Sequence, residues 1–191
     1  MNNLIAVNSQ TDIPQQYLNT PIADLFEYHN MSKPIDVAYE RAELLVGMCM
    51  DNRKRLIIPN NFAFIIRAGG ANLRYSAFKV SYAIAVGKIK HIAIIAHNNC
   101  GMVNVSERKE IFVNGLVEIA GWQKDKAYEH FDEFAHKFEI GNEISFIKNE
   151  AIRLRLRYPK VMVAPLYYNV DDNKLYLVRE DKNKFLEELS E

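Results

Sequence analysis

Three short apolar runs, each ending in polar or glycine residues, constrain the fold of this chain more than any other feature. They read "AELLVGMCM", "NFAFIIRAGG" and "KHIAIIAHNNCG". Each run is continuous rather than alternating, which is typical of parallel strands buried on both faces. The segment between the second and third runs repeats apolar residues at helical spacing and ends at Gly87, so it predicts a helix. Strand, helix and strand in this order predict an α/β fold.

The remaining segments extend this pattern to a central, mainly parallel β-sheet flanked by helices. "QKDKAYEHFDEFAHKF" and "NEISFIKNEAIRLRLRY" predict two helices, and "NKFLEELSE" predicts a short terminal one. "VMVAPLYYNVDDNKLYLVRE" predicts a strand, a turn and a returning antiparallel edge strand. Near the start of the chain, Pro21 and Pro34 each stand at the beginning of a helical pattern. We therefore expect an N-terminal helical arm over residues 1–40 and a single α/β domain over residues 41–191.

The composition argues against several classes of partner. Lysine plus arginine and aspartate plus glutamate each number 24, so the formal net charge is +0 and favours neither nucleic acid nor an anionic membrane. The arginines of "IRLRLRYPK" are interpreted as a solvated helix end rather than a phosphate-binding stripe. No run reaches the roughly 18 apolar residues that span a bilayer. Because the first residues lack a secretory pattern, we expect a cytoplasmic protein.

Candidate metal ligands stand at the ends of the first and third apolar runs, where the strands are predicted to end. Cys49 stands near the end of the first run, and His97 and Cys100 stand at the end of the third. Ligands of an open α/β sheet bind at the carboxyl ends of its strands, so these side chains are expected to converge. Two thiolates and an imidazole suit Zn²⁺, and three protein ligands leave a fourth position open, as in catalytic zinc sites. The sequence therefore predicts a Zn²⁺ site that uses both cysteines of the chain.

An acid and a base, Asp51 and Arg53, follow the first predicted ligand at alternate positions. In an extended strand they would share a face with that ligand. Asp51 could ligate the metal and close its fourth position. Alternatively, a bidentate pair with Arg53 could hold Asp51 back, so that its carboxylate accepts a hydrogen bond from a metal-bound hydroxide. An ordinary surface ion pair is the third interpretation.

In combination, these motifs resemble the β-class carbonic anhydrases, and most closely the short bacterial forms. "CMDNR" and "HNNCGM", with "IIRAGG" between them, carry the resemblance, which covers most of the chain after about Arg41. It implies a zinc lyase that interconverts CO₂ and bicarbonate and forms a homodimer or a dimer of dimers. By this resemblance, the metal ligands are Cys49, His97 and Cys100. The catalytic dyad is Asp51 and Arg53.

Several alternatives stay open at this point. Carbonyl sulfide and carbon disulfide hydrolases share the scaffold and the ligand set, so the substrate is not decided. The segment "RAGG" lacks the asparagine of the usual R-N-A-G-G, which slightly favours a catalytically silent zinc protein, whereas the intact pair of Asp51 and Arg53 argues against one. A redox pair of the two cysteines is a further alternative. A linear apolar substrate needs a small apolar pocket. The expected walls of that pocket are Ile66, Gly69, Gly70, Leu73 and Met102, whereas Phe62, Phe64 and Tyr75 are expected in the core.

Overall fold

The computed structural model of the protein describes residues 3–180 and contains one six-stranded sheet in that range. Its strands are β1 (Leu4–Ala6), β2 (Leu44–Met48), β3 (Ala63–Arg67), β4 (His91–His97), β5 (Met162–Asn169) and β6 (Lys174–Val178). They lie in the order β1-β6-β5-β4-β2-β3. The four strands from β5 to β3 are parallel, whereas β6 is antiparallel to both of its neighbours. The predicted fold class is therefore confirmed.

Helices flank the sheet, and the two with side-chain caps begin where the sequence predicts. The helices are α1 (Pro21–Asn30), α2 (Ala77–Ala85), α3 (Lys109–Ala120), α4 (Lys124–Phe138) and α5 (Glu143–Arg157). Thr20 Oγ1 accepts a hydrogen bond from the backbone of α1, and Asn142 Oδ1 does the same for α5. The terminal helix predicted for "NKFLEELSE" lies outside the described residues. None of the helices in residues 3–180 is long and apolar enough to cross a membrane.

Buried side chains cover both faces of the sheet, which explains the continuous apolar runs. In β4, Ala93 and Ile95 face the cluster that includes α1, whereas Ile92 and Ile94 face the cluster that includes α2 and α5. All four side chains are fully buried. A strand with apolar neighbours on both faces has no position left for a polar residue. The polar side chains of β4 consequently stand at its two ends, as His91 and His97.

The N-terminal segment differs from a purely helical arm. Residues 4–6 form a strand that pairs with β6, and Asn30 Nδ2 donates to the carbonyl oxygens of Val7 and Leu175, at 2.8 Å each. The second helix predicted from Pro34 was wrong, because the segment from 31 to 43 is irregular. Tyr39 instead packs edge-on against Phe62 at 5.1 Å, and this contact favours the irregular path. The domain boundary at residue 40 stays a prediction.

Large apolar side chains are exposed along the outer edge of the sheet. Phe62 is fully buried as expected, but Phe64 is 41% and Tyr75 is 59% exposed, so the prediction that both lie in the core was wrong. For Phe64, the reason is that β3 is an edge strand of the described sheet. Tyr75 lies outside β3, in the short turn before α2, where its ring packs against Phe138. We call this surface the β3–α2 face, and define it by Phe64, Ile65, Phe78, Tyr82 and Val86.

Candidate metal centre

The three predicted metal ligands converge at the carboxyl ends of two neighbouring strands. Cys49 directly follows β2, His97 is the last residue of β4, and Cys100 lies three residues further on. β2 and β4 are parallel neighbours, with Met48 opposite Ile95, so both strands end at the same edge. One potential ligand atom from each residue lies within 4.8 Å of those of the other two, and all three residues are buried.

The spacing of the two sulfur atoms fits one tetrahedral metal ion. Cys49 Sγ and Cys100 Sγ are 3.9 Å apart. Two thiolates at a Zn–S distance of about 2.3 Å and a tetrahedral angle would be about 3.8 Å apart. The observed spacing is far longer than the roughly 2.05 Å of a disulfide bond. Both cysteines are free thiols.

The imidazole of His97 presents one nitrogen for a metal. Its Nδ1 is 2.8 Å from the carbonyl oxygen of Asn98, and since a carbonyl only accepts, Nδ1 carries the proton and donates. Nε2 is therefore the nitrogen with the lone pair. It is buried and has no hydrogen-bond partner among the described residues. A buried polar atom without a partner requires an explanation, and a metal ion at this position supplies one.

The thiols of the cluster influence each other's acidity. A hydrogen bond from Cys100 stabilises the Cys49 thiolate and lowers the Cys49 pKa. Burial opposes this change, and the backbone N–H groups of Asp51 and Gly70 add to it. The pKa of Cys100 is raised, because Cys100 donates that hydrogen bond and is itself buried. The lowered pKa favours the thiolate form of Cys49, which is the form that binds metal.

A glycine turn packs tightly over the first ligand. The backbone N–H of Gly70 donates to Cys49 Sγ at 3.3 Å. Gly70 has φ +61°, and a Cβ there would also lie 3.0 Å from Ile140, so a side chain would be strained. At Gly69, a Cβ would lie 2.9 Å from Met102 Sδ. The segment "RAGG" therefore keeps a close contact with the thiolate without the asparagine noted above.

Asp51 and Arg53 form the predicted ion pair, although not by sharing a face of a strand. β2 ends at Met48, so both residues lie in the following turn, where the Arg53 backbone N–H also donates to Asp51 Oδ1 at 2.9 Å. Arg53 Nε lies 3.1 Å from each carboxylate oxygen, and Nη2 lies 2.6 Å from Oδ2. These bonds hold the Asp51 pKa well below its usual range. Asp51 is accordingly ionised at any physiological pH.

The same guanidinium also contacts the second ligand loop. Arg53 Nη2 donates to the backbone carbonyl of Asn99 at 2.8 Å, and Asn99 lies directly before Cys100. Asn99 adopts φ +53°, a conformation in which asparagine is enriched. Asn98, the other asparagine of this loop, donates to Asp171 and accepts from the Val170 backbone. Polar contacts with two other parts of the chain therefore fix the loop that carries the third ligand.

Comparisons with known proteins identify the fold. No protein-family model matches the sequence, and no curated protein matches it. Among solved structures, β-carbonic anhydrase isoform I of Trichomonas vaginalis is 18% identical with a TM-score of 0.61, covering 87% of this chain and 99% of that chain. Carbonic anhydrase from Glaciozyma antarctica is 19% identical with a TM-score of 0.59, covering 85% and 98%. The chain has the β-carbonic anhydrase fold.

A carbon disulfide hydrolase also has this fold. Its apo form is 19% identical to this chain, with a TM-score of 0.53, and the alignment covers 79% of this chain and 84% of that one. Sequence identities of 18–19% show that this chain and these proteins share a fold. They do not decide which reaction this chain catalyses.

The predicted pocket residues lie in two different places within the β-carbonic anhydrase fold. Gly69, Gly70 and Met102 adjoin the metal ligands, together with Ile140. Leu73 is fully buried and would contact a Cβ at Gly47, so it belongs to the core. The fifth residue, Ile66, lines a groove between β3 and α2. The assignment of these five residues to a substrate pocket stays a prediction.

Two basic residues near the site were missed as functional candidates from sequence. Arg67 Nη1 donates to the carbonyl oxygens of Cys49 and Asp51, and its Nη2 donates to that of Lys54, so it supports the turn after β2. Lys54 is 1% exposed, and its Nζ lies 3.9 Å from Asp51 Oδ1. Burial lowers the pKa of Lys54, and the negative charges of Cys49 and Asp51 oppose that change. The only sequence signal for Lys54 is its place directly after "CMDNR".

Proposed function

We propose that this protein is a zinc-dependent carbonic anhydrase that interconverts CO₂ and bicarbonate. The observation that carries the proposal is the buried Cys-His-Cys cluster with a neighbouring carboxylate that an arginine holds in a bidentate pair. Within the described residues, the cluster of potential metal ligands does not include Asp51. Three ligands would leave a fourth position open for chemistry, whereas a structural zinc has four protein ligands.

Each residue of the site then has a defined task. Cys49, His97 and Cys100 would hold Zn²⁺, which when bound supplies a water activated as a nucleophile. Asp51 is ionised, so its carboxylate is an acceptor beside the three ligands and would orient a hydroxyl group there for attack on the substrate carbon. Arg53 keeps the carboxylate oriented for this task. Four apolar side chains pack beside the cysteines, and they favour a small apolar substrate such as CO₂. These side chains are Met102, Val103, Ile140 and Phe146.

A CO₂ hydration assay tests the proposal directly. Zinc-loaded protein is expected to accelerate hydration far above the buffer rate in a stopped-flow experiment with a pH indicator. The matched control is the same protein after removal of zinc by a chelator, which should return the rate to that of buffer. A zinc-loaded preparation whose CO₂ hydration rate does not exceed that of buffer at pH 8.5 and higher would contradict the proposal. It would favour a catalytically silent zinc protein instead.

The hydration rate is expected to rise from neutral toward alkaline pH. Two thiolates offset the formal charge of Zn²⁺, so the activated water is expected to lose its proton above the value of about 7 found with neutral ligands. The low pKa of Asp51 places its titration far below this range, so Asp51 does not cause the rise. The measurement is kcat against pH between 6.5 and 9.5, at roughly unit intervals. A flat or falling profile would contradict the expectation.

Carbon disulfide or carbonyl sulfide hydrolysis is the second candidate. The observation in its favour is the likeness to the carbon disulfide hydrolase, which has the same fold at a similar identity. Both substrates are linear and apolar like CO₂. The apolar side chains around the cysteines therefore do not favour one of these three substrates over the others. Release of hydrogen sulfide from either substrate, measured beside CO₂ hydration on the same preparation, distinguishes the candidates.

We also propose that the β3–α2 face binds a second copy of this chain. Within the part of the chain that the structure describes, β3 is an edge strand with no strand on its outer side, and such edges are normally covered. The face is apolar, with Phe78 81% and Tyr82 55% exposed. Between β3 and α2 lies a groove of about 230 Å³. A contiguous apolar face next to an open strand edge is typical of an interface.

The substitution Phe78→Asp is expected to convert a dimer into a monomer. It places a charge at the centre of the apolar face, and the loss of a central aromatic residue weakens an interface by about 100-fold or more. Leu156→Asp is the control, since Leu156 is 52% exposed on α5 and is not part of the β3–α2 face. Light scattering after size-exclusion chromatography gives the mass of each. A wild-type protein that is already monomeric, or a dimeric Phe78→Asp variant, would contradict the proposal.

A further inference from the structure

A fully buried lysine lies beside the metal site and is not explained by the proposed chemistry. The Lys54 side chain is 0% exposed, and within residues 3–180 its Nζ has no hydrogen-bond partner. Lysine is almost never fully buried unless it is paired, because its ammonium loses hydration. A methionine or leucine would fill the same space without that cost. The position of this ammonium therefore indicates a role other than packing.

Within residues 3–180, Lys54 has one ion pair, with the carboxylate of Asp51, and the sulfur atoms of Cys49 and Cys100 are further negative charges that act on it. Lys54 Nζ is 3.9 Å from Asp51 Oδ1. The same carboxylate also forms an ion pair with Arg53, whose side chain is 46% exposed. Solvent and salt weaken the field of an exposed cation far more than that of a buried one. Of the two cations at Asp51, Lys54 is thus the one whose charge is screened least.

The backbone around Lys54 is built so that the side chain points inward. Arg67 Nη2 donates to the Lys54 carbonyl oxygen at 3.2 Å, and Arg67 Nη1 donates to the Asp51 carbonyl at 3.3 Å. One guanidinium therefore ties the backbone at both ends of the Asp51–Lys54 segment. This restrains the backbone positions from which the carboxylate and the ammonium extend.

We propose that Lys54 is a positioning residue for Asp51: its buried ammonium is the second cation at this carboxylate and, together with Arg53, keeps the carboxylate away from the metal. The proposal rests on the metal site proposed above. An ionised carboxylate next to a divalent ion can either bind that ion or stay with its own cations. Each cation at Asp51 shifts this balance toward the free fourth position. Lys54 does so from within the protein, where its field is strongest.

The test uses Co²⁺-loaded protein, since the absorption spectrum of Co²⁺ reports its ligands, and azide as the probe of an open position. Lys54→Met removes the charge and keeps the length of the side chain. We expect Asp51 to occupy the fourth position in this variant, so that azide affinity falls at least about tenfold. In an Asp51→Asn background, Lys54→Met should leave azide affinity unchanged. Unchanged affinity in the first background, or an equal loss in both, would overturn the proposal.

A second measurement does not depend on metal. Thermal unfolding of the metal-free wild type, Lys54→Met, Asp51→Asn and the double variant forms a double-mutant cycle. Because Lys54→Met removes a buried charge, it should raise Tm, and the rise should be larger when Asp51 is also replaced. Equal rises in both backgrounds would show that the two groups are not coupled. If the wild type binds no Co²⁺, the metal site fails, while this cycle still decides whether Lys54 pairs with Asp51.

Discussion

Replacing His97 by glutamine is expected to reduce zinc affinity at least about 100-fold, because one of three protein ligands is lost. The buried Nε2 of His97 has no partner in the described part of the chain, and its ring is oriented by the bond to the Asn98 carbonyl. Glutamine keeps a polar group of similar size but offers no aromatic nitrogen. Zinc per chain, measured by mass spectrometry after gel filtration, should fall from about one to near zero.

His91→Gln is the matched control for this experiment. His91 begins the same strand that His97 ends, about 20 Å away at the usual rise per residue. The two variants therefore carry the same chemical change in the same element. His91→Gln should keep its zinc, and competition with a chromophoric chelator should give an affinity like that of the wild type. Retention of zinc by His97→Gln, or loss of zinc by both variants, would argue against the proposed ligand set.

Replacing Arg53 by methionine should lower kcat/KM for CO₂ hydration about 10²–10⁴-fold while zinc content stays near that of the wild type. Without its bidentate partner, Asp51 loses the orientation that the proposed mechanism requires. The carboxylate also becomes free to turn toward the metal. Stopped-flow assays and zinc analysis on the same preparation separate a catalytic loss from a loss of metal.

The control is Arg55→Met, two residues further along the same turn. Arg55 is exposed, and the substitution removes an identical charge from the same region of the surface. Its kcat/KM should stay within about twofold of the wild type, as for most surface changes. An Arg53→Met variant with wild-type kcat/KM would show that the Asp51–Arg53 pair is only a surface ion pair. A loss in both variants would point to the general electrostatic field instead.

Much of the sheet could be predicted from sequence, because its central strands are buried on both faces. "HIAIIAH" has no polar residue between its two histidines, and a run of this kind has few alternatives to a central parallel strand. The convergence of Cys49, His97 and Cys100 follows from the same property, since polar groups can only stand where such strands end. The catalytic dyad, the pocket walls and the metal itself stay predictions, which the experiments above address.

Other features depended on contacts that one sequence does not reveal. The three-residue strand β1 is too short to carry a periodic signal, and it exists because β6 offers a free edge. The exposure of Phe64 follows from the position of β3 at the outer edge of the sheet. Lys54 looks like a surface residue in a charged stretch, and only the folded turn shows that its ammonium is buried.

The guanidinium of Arg53 joins two parts of the chain that lie 46 positions apart, since it binds both Asp51 and the carbonyl oxygen of Asn99. Contacts within the polypeptide therefore connect the loops that carry Cys49 and Cys100. Ligands that are preorganised in this way lose little conformational entropy when they bind. If the proposed site binds a metal ion, the uptake should therefore need little rearrangement of these two loops.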